Sequence, residues 1–141
     1  MRAAWAVALA LAATSPAIAD PPQAPVDPVE ARYTPAYNAC LASPDGVSTY
    51  GMIVCTQKEL DIQDGRLNSV YRTTMASLNA RQKTKLQAAQ RAWLAFRDAE
   101  CASYQDENWG TISRVTSAGC VLHMTVQRTM DLGHYPPGSA E

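Results

Sequence analysis

Apolar positions along the chain recur at three- and four-residue steps, and no stretch keeps an alternating period long enough to make a strand. The pattern predicts an all-α fold. A short helical turn fits residues 35–41, and Ser43-Pro44-Asp45-Gly46 reads as the turn that follows it. The first long helix begins near Ser48 or Thr49. Its stripe is Met52, Leu60, Asp64, Leu67, Asn68, Tyr71, Met75 and Leu78, with Gly65 a weak point worth about 1 kcal/mol relative to alanine. Asn79 and Ala80 make a tight connection to a second helix over about 81–104. A loop over 105–111 holds Trp109-Gly110, and a third helix over about 112–132 offers Val115, Gly119, Leu122, Val126 and Met130 to the core. Gly133, Pro136, Pro137 and Gly138 end it. Short connections make neighbouring helices antiparallel, so the expected architecture is a small antiparallel three-helix bundle with an extended N-terminal segment.

The stripe of the second helix is unusual. Leu86, Gln90, Trp93, Leu94, Arg97, Cys101 and Tyr104 share it, which places an amide, a guanidinium and a thiol on a face that ought to be buried. Buried polar groups need partners. Folding the sequence about Ala80 brings Asp64 to Arg97, Tyr71 to Gln90, and Leu67 or Asn68 to Trp93. Folding about the second loop sets Cys101 opposite Cys120 and brings Arg128 to Trp93, where a cation–π contact can form. Asp64, Asn68, Tyr71, Gln90, Trp93, Arg97 and Arg128 are therefore expected to satisfy one another as a structural polar network. The same operation predicts a Cys101 to Cys120 disulfide and leaves Cys40 to pair with Cys55, each bond worth roughly 3 kcal/mol in the chain-entropy model.

The first residues add a compartment. Arg2, an apolar run over 3–13 and Ala17-Ile18-Ala19 before Asp20 read as a signal peptide over 1–19, too short to span a bilayer. No second apolar stretch of about 18 residues follows, and Cys40 lies well beyond the cleavage point, so neither a membrane span nor a lipid anchor is expected. The expected location is periplasmic or secreted. In an oxidising compartment an even set of four cysteines reads as two disulfides. The competing metal reading lacks a C-x-x-C pair, and His123 and His134 have no partner at ligand spacing, so no metal or cofactor is expected. Cleavage leaves 122 residues, enough for one domain, with 11 basic against 13 acidic residues. A net charge of −2 excludes the basic surface of a nucleic-acid binder. Pro21, Pro22, Pro25 and Pro28 mark 20–34 as a flexible leader, and 134–141 reads as a flexible tail around a domain over 35–133.

Catalytic chemistry is poorly represented. His134 lies in a Pro/Gly-rich tail, His123 sits one helical step from Cys120 and Gln127, and no serine or threonine has an evident His and acid beside it. The chain does not read as an enzyme. Trp109 stands apart, because it lies in a loop beside Asp106, Glu107 and Gly110, where an aromatic has less reason to be buried. Charge is also polarised: Arg81, Lys83 and Lys85 crowd one end of the second helix, and Glu100, Asp106 and Glu107 surround the other.

Cys55, then Leu67-Asn68-Ser69-Val70-Tyr71, then Gln90, Trp93, Phe96-Arg97-Asp98 and Cys101, then Trp109-Gly110, Cys120, and Thr125 with Arg128 form an ordered set of motifs. This set resembles the LprI-like N-terminal domain family over about 40–132, with its L-N-x-x-Y, Q-x-x-W and T-x-x-R signatures. The resemblance implies an exported protein-binding module that inhibits lysozyme or a related peptidoglycan-degrading enzyme. Animal lysozymes are cationic, so the acidic end with Trp109, Asp106, Glu107 and Thr111 is the candidate partner surface. The alternative is a structural periplasmic envelope module that binds another protein without inhibiting lysozyme.

Overall fold

Four α-helices and two short 3-10 turns organise residues 27–136, the part of the chain that the computed structural model describes; no strand occurs among the described residues. The expected signal peptide over 1–19, the first part of the expected leader and the end of the expected tail lie outside them. Helix α1 covers Pro35–Leu41, α2 Thr49–Ala76, α3 Ala80–Ala102 and α4 Ile112–Gly133. The 3-10 turns are Glu30–Arg32 and Glu107–Trp109. Each of the first three helices starts on a polar cap. Thr34 accepts from the Tyr37 amide with Pro35 in the first turn, and Ser48 accepts from Gly51. Asn79 and Gln82 form a reciprocal capping box, with bonds of 2.9 and 3.1 Å, which fixes the start of α3 after the short link Ser77-Leu78-Asn79.

Between α1 and α2 the chain doubles back under the Cys40–Cys55 disulfide. A side chain on Gly46 would strike the Cys40 carbonyl, and one on Gly51 would strike the Asp45 carbonyl, so this approach is open only to glycine. A second disulfide, Cys101–Cys120, joins the end of α3 to α4, and no cysteine among the described residues is free. Both pairings are those the folded sequence predicts. Met124 Sδ rests 3.6 Å from Cys101 Sγ and 3.9 Å from Cys120 Sγ.

The core has two centres. Leu67, Leu78, Leu86 and Leu132 gather where the last turns of α2 and α4 meet the start of α3, backed by Val70, Tyr71, Met75 and Trp93. Val29, Leu122 and Val126 form the other, with Tyr33, Tyr37, Leu60 and Met130 around them. Helices α2 and α4 run side by side in the same direction, with the Thr74 hydroxyl donating to the Leu132 carbonyl near their ends. Of the small antiparallel three-helix bundle expected, the all-helical content and both disulfides are present. Helix α3 meets α4, but past the leucine cluster an open cleft separates it from α2, because the facing side chains there are polar.

The other flank of the α2–α4 pair is covered by the N-terminal segment. Residues 27–34 are not a loose leader. Val29 is buried between Leu122 and Val126, and Thr34 is anchored on Glu59, which accepts from the Thr34 amide at 2.9 Å and from its hydroxyl at 2.5 Å. Gln63 donates to Glu59 at 2.7 Å and to the Arg32 carbonyl at 3.0 Å. The buried face of α2 therefore runs through Cys55, Thr56, Glu59, Gln63 and Leu67, whereas Asp64 is half-buried and Asn68 exposed. The expected stripe was rotated away from this face, because the segment that covers it brings backbone donors and acceptors that demand polar partners.

Replacing Glu59 with leucine leaves the Thr34 amide and one Gln63 donor unmet, at about 1–3 kcal/mol each. The expected result of Glu59→Leu is loss of hydrogen-exchange protection over 29–37 before the rest of the fold opens. Tyr33, packed on Tyr37 with ring centroids 5.3 Å apart, has its phenol pushed from 10.0 up to about 12 by burial first, then by Tyr37, Glu30, Asp27 and Glu59. The unfolded phenol ionises first, so stability falls as pH rises from 10.0 to about 12. Denaturation midpoints across that window should fall less steeply for Tyr33→Phe than for the native chain.

Candidate functional site

Trp93 occupies the middle of α3, and two guanidinium groups lie against its ring: Arg97 Cζ is 5.2 Å and Arg128 Cζ 5.7 Å from the ring centroid. Arg128 Nε donates to Gln90 Oε1 at 3.0 Å. Arg97 donates through Nε and Nη2 to Asp98 Oδ1, at 3.0 and 2.8 Å, and through Nη1 to Thr125 Oγ1 at 3.3 Å. Thr125 is completely buried, and its own hydroxyl proton goes to the Val121 carbonyl. Four residues of the expected network, Gln90, Trp93, Arg97 and Arg128, are thus joined, with Asp98 and Thr125 as members that the stripe pattern did not mark.

Asp64 is not the carboxylate that neutralises Arg97. It faces Arg97 across the cleft out of ion-pair range, because α2 and α3 part there, and the adjacent Asp98 reaches the guanidinium with no helix separation to cross. Among the described residues, Asp64, Asn68 and Tyr71 make no side-chain hydrogen bond or ion pair. They form one wall of a cleft of about 480 Å³, and Gln87, Gln90, Arg91 and Arg97 form the other. Folding arithmetic places these residues at matching levels along the helices but says nothing of the gap between them.

The acidic end is built on the loop from α3 to α4. Asp106 Oδ1 accepts from the Asn108 amide at 2.7 Å and starts the 3-10 turn; Gly110, at φ 66°, reverses the chain into α4. Ser113 Oγ donates to the Gly110 carbonyl at 2.8 Å, Gln105 Nε2 to Ser117 Oγ at 3.0 Å, and the Cys101–Cys120 bond ties the base. On this braced loop Trp109 is 55% exposed and Ile112, in the next turn, 52%. Glu107 and Thr111 are exposed and line a depression of about 530 Å³ with Asp106, Gly110 and Arg114. The surface is mixed in charge, since Arg114 shares it and Asp106 is partly engaged as a cap. Ile112 is an apolar neighbour of Trp109 that the loop position alone did not single out; its signal was a large apolar residue directly after the Gly-Thr reversal.

His123 is half-buried on α4, and His134 Nδ1 lies 2.8 Å from the Met130 carbonyl. Among the described residues no group of three His, Cys, Asp or Glu side chains is placed to hold a metal ion, and no helix is long and apolar enough to cross a membrane.

Residues 36–132 match the family model described as lysozyme inhibitor LprI. The chain belongs to that family. The LprI match begins at α1 and ends in the last turn of α4, so it contains both disulfides, the cleft and the Trp109 loop. An uncharacterized protein of Rhizobium meliloti (strain 1021) is 28% identical over 113 residues, covering 67% of this chain and 81% of that one. A crystal structure of an uncharacterized protein from Burkholderia thailandensis superimposes with a TM-score of 0.57 at 26% identity over 77% of this chain. The matched part is about half of that protein, 52% of its length.

The connectivity separates members of the network from bystanders. Asp98 is 65% exposed, so Asp98→Asn should cost less than about 1 kcal/mol. Asp64→Asn, with no partner to lose, should fall within about 0.5 kcal/mol of the native chain. Gln90→Leu strips the acceptor from the half-buried Arg128 and should cost about 1–3 kcal/mol. Urea unfolding of the three variants checks the order.

Proposed function

We propose that the protein is an exported binding module that inhibits a lysozyme-type, peptidoglycan-degrading enzyme, and that it engages that enzyme through the loop carrying Trp109, Asp106, Glu107 and Thr111. The observation that carries this reading is the indole of Trp109, more than half exposed on a loop braced by a disulfide and three side-chain hydrogen bonds. An aromatic held in place before contact loses little conformational freedom on binding, which is what makes tryptophan an effective interface anchor. Ile112 widens the apolar contact, and Glu107 lends it the sign of charge that draws a cationic partner.

Membership of the LprI family supports the inhibitor reading, and two closed disulfides support a periplasmic or extracellular setting. The module acts by occupying its partner rather than by chemistry of its own.

Inhibition of several lysozyme classes by the purified mature protein tests the proposal. Trp109→Ala should weaken inhibition of the susceptible enzyme by roughly 30-fold or more, the loss typical of a central anchor. Glu107→Gln should slow association at low salt and matter less as salt rises. Unchanged inhibition in a Trp109→Ala, Asp106→Asn, Glu107→Gln variant would reject this surface. No inhibition of any lysozyme, with a specific envelope partner recovered instead, would favour the structural envelope module.

A further inference from the structure

In the cleft between α2 and α3, unpaired charges of opposite sign line a common space from two facing helices. Asp64 stands on the α2 wall and Arg91 on the α3 wall, and among the described residues neither has an ion-pair or hydrogen-bond partner. Charges on an open helix surface are simply hydrated. Asp64 differs in its setting, being half-buried where Arg91 opposite is exposed, and Leu67, buried beside it, and Leu94 across from it supply apolar surface between the two.

The remaining polar groups are disposed with the same polarity. Arg97, whose side chain is only 14% exposed, is locked by Asp98, Thr125 and the Trp93 ring, yet these contacts use three of its five N–H donors. Gln90 spends its carbonyl on Arg128, so its amino group remains to donate. The α3 wall therefore offers donors and positive charge, and the α2 wall offers a carboxylate with the Tyr71 hydroxyl and Asn68 amide. Donors on one side, Arg97 among them held in place, and an acceptor on the other suit a ligand that carries an ammonium and a carboxylate on a short apolar body.

The geometry points to a binding site for a small zwitterion, an amino acid or short peptide with free ends, whose ammonium pairs with Asp64 and whose carboxylate pairs with Arg91 and Arg97. The cleft, about 480 Å³, is of the size that holds such a molecule. It is separate from the Trp109 loop, which shares none of its lining residues. Part of the charge needed is already ordered, so the ligand meets a partly prepared site.

Titration of the isotopically labelled mature chain with alanyl-alanine, followed by amide NMR shifts, tests the assignment. Saturable shifts should cluster at residues 64–71 and 87–97. The same dipeptide acetylated at one end and amidated at the other should bind at least about tenfold more weakly, the loss expected when charge-assisted bonds disappear. Asp64→Asn and Arg91→Gln should each weaken binding by about tenfold, whereas Trp109→Ala should not. Neither of the first two residues has a partner in the fold, and an otherwise unchanged amide spectrum confirms that each variant is folded. Shifts that never saturate, equal binding of the blocked peptide, or indifference to both substitutions would overturn the site.

Discussion

Helix α3 is held at two points, and most of what is distinctive in the molecule lies between them. Its fully buried residues are Leu86, in the leucine cluster beside the α2–α3 turn, and Cys101, bonded to Cys120 on α4. With only one apolar anchor the far end of α3 would have little to keep it on α4, because the intervening positions are largely exposed alanines and polar side chains. The disulfide removes that freedom. It fixes the level at which Trp93 meets Arg128, the level at which Arg97 meets Thr125, and the base of the loop that presents Trp109. The cleft follows from the same constraint, since α3 is secured to α4 and not to the polar flank of α2.

The opposite flank obeys a different rule. There a buried carboxylate, Glu59, makes no ion pair among the described residues and is met by an amide, a hydroxyl and a carboxamide. Three directed hydrogen bonds replace the hydration that burial removes, and they specify one seating for the N-terminal segment in a way that apolar contact alone does not. The α2–α4 pair is thus sealed on one side by chain that a reading of prolines alone assigns to a loose arm.

Much of the fold was legible in the sequence. The helix spans were readable because caps, glycines and prolines act locally; the Cys101–Cys120 bond was readable because antiparallel folding fixes which levels of two helices coincide, and Cys40–Cys55 followed as the remaining pair. Folding fixes the level but not the separation. That is why Tyr71 and Gln90 do line a common cleft while Asp64 and Arg97 fail to touch. Glu59 and Gln63 were invisible for a related reason: their spacing with Thr56 and Leu67 marks one face, but their polarity argues against burial unless the covering segment is known to bring backbone groups with it. At the acidic end, the position of Trp109 in a loop sufficed to expect its exposure, whereas the part played by Arg114 and Ile112 depends on how Gly110 turns the chain into α4.

The thioether of Met124 lies against both sulfurs of the Cys101–Cys120 bond, and Cys101 is almost wholly shielded from solvent. An incoming thiolate must therefore approach from the Cys120 side and expel the sulfur of Cys101 as an anion into apolar surroundings, where such a leaving group is poorly stabilised. Exchange with external thiols is thereby slowed in the folded chain, and the crosslink that positions α3 is guarded by a neighbour that forms no covalent bond with it.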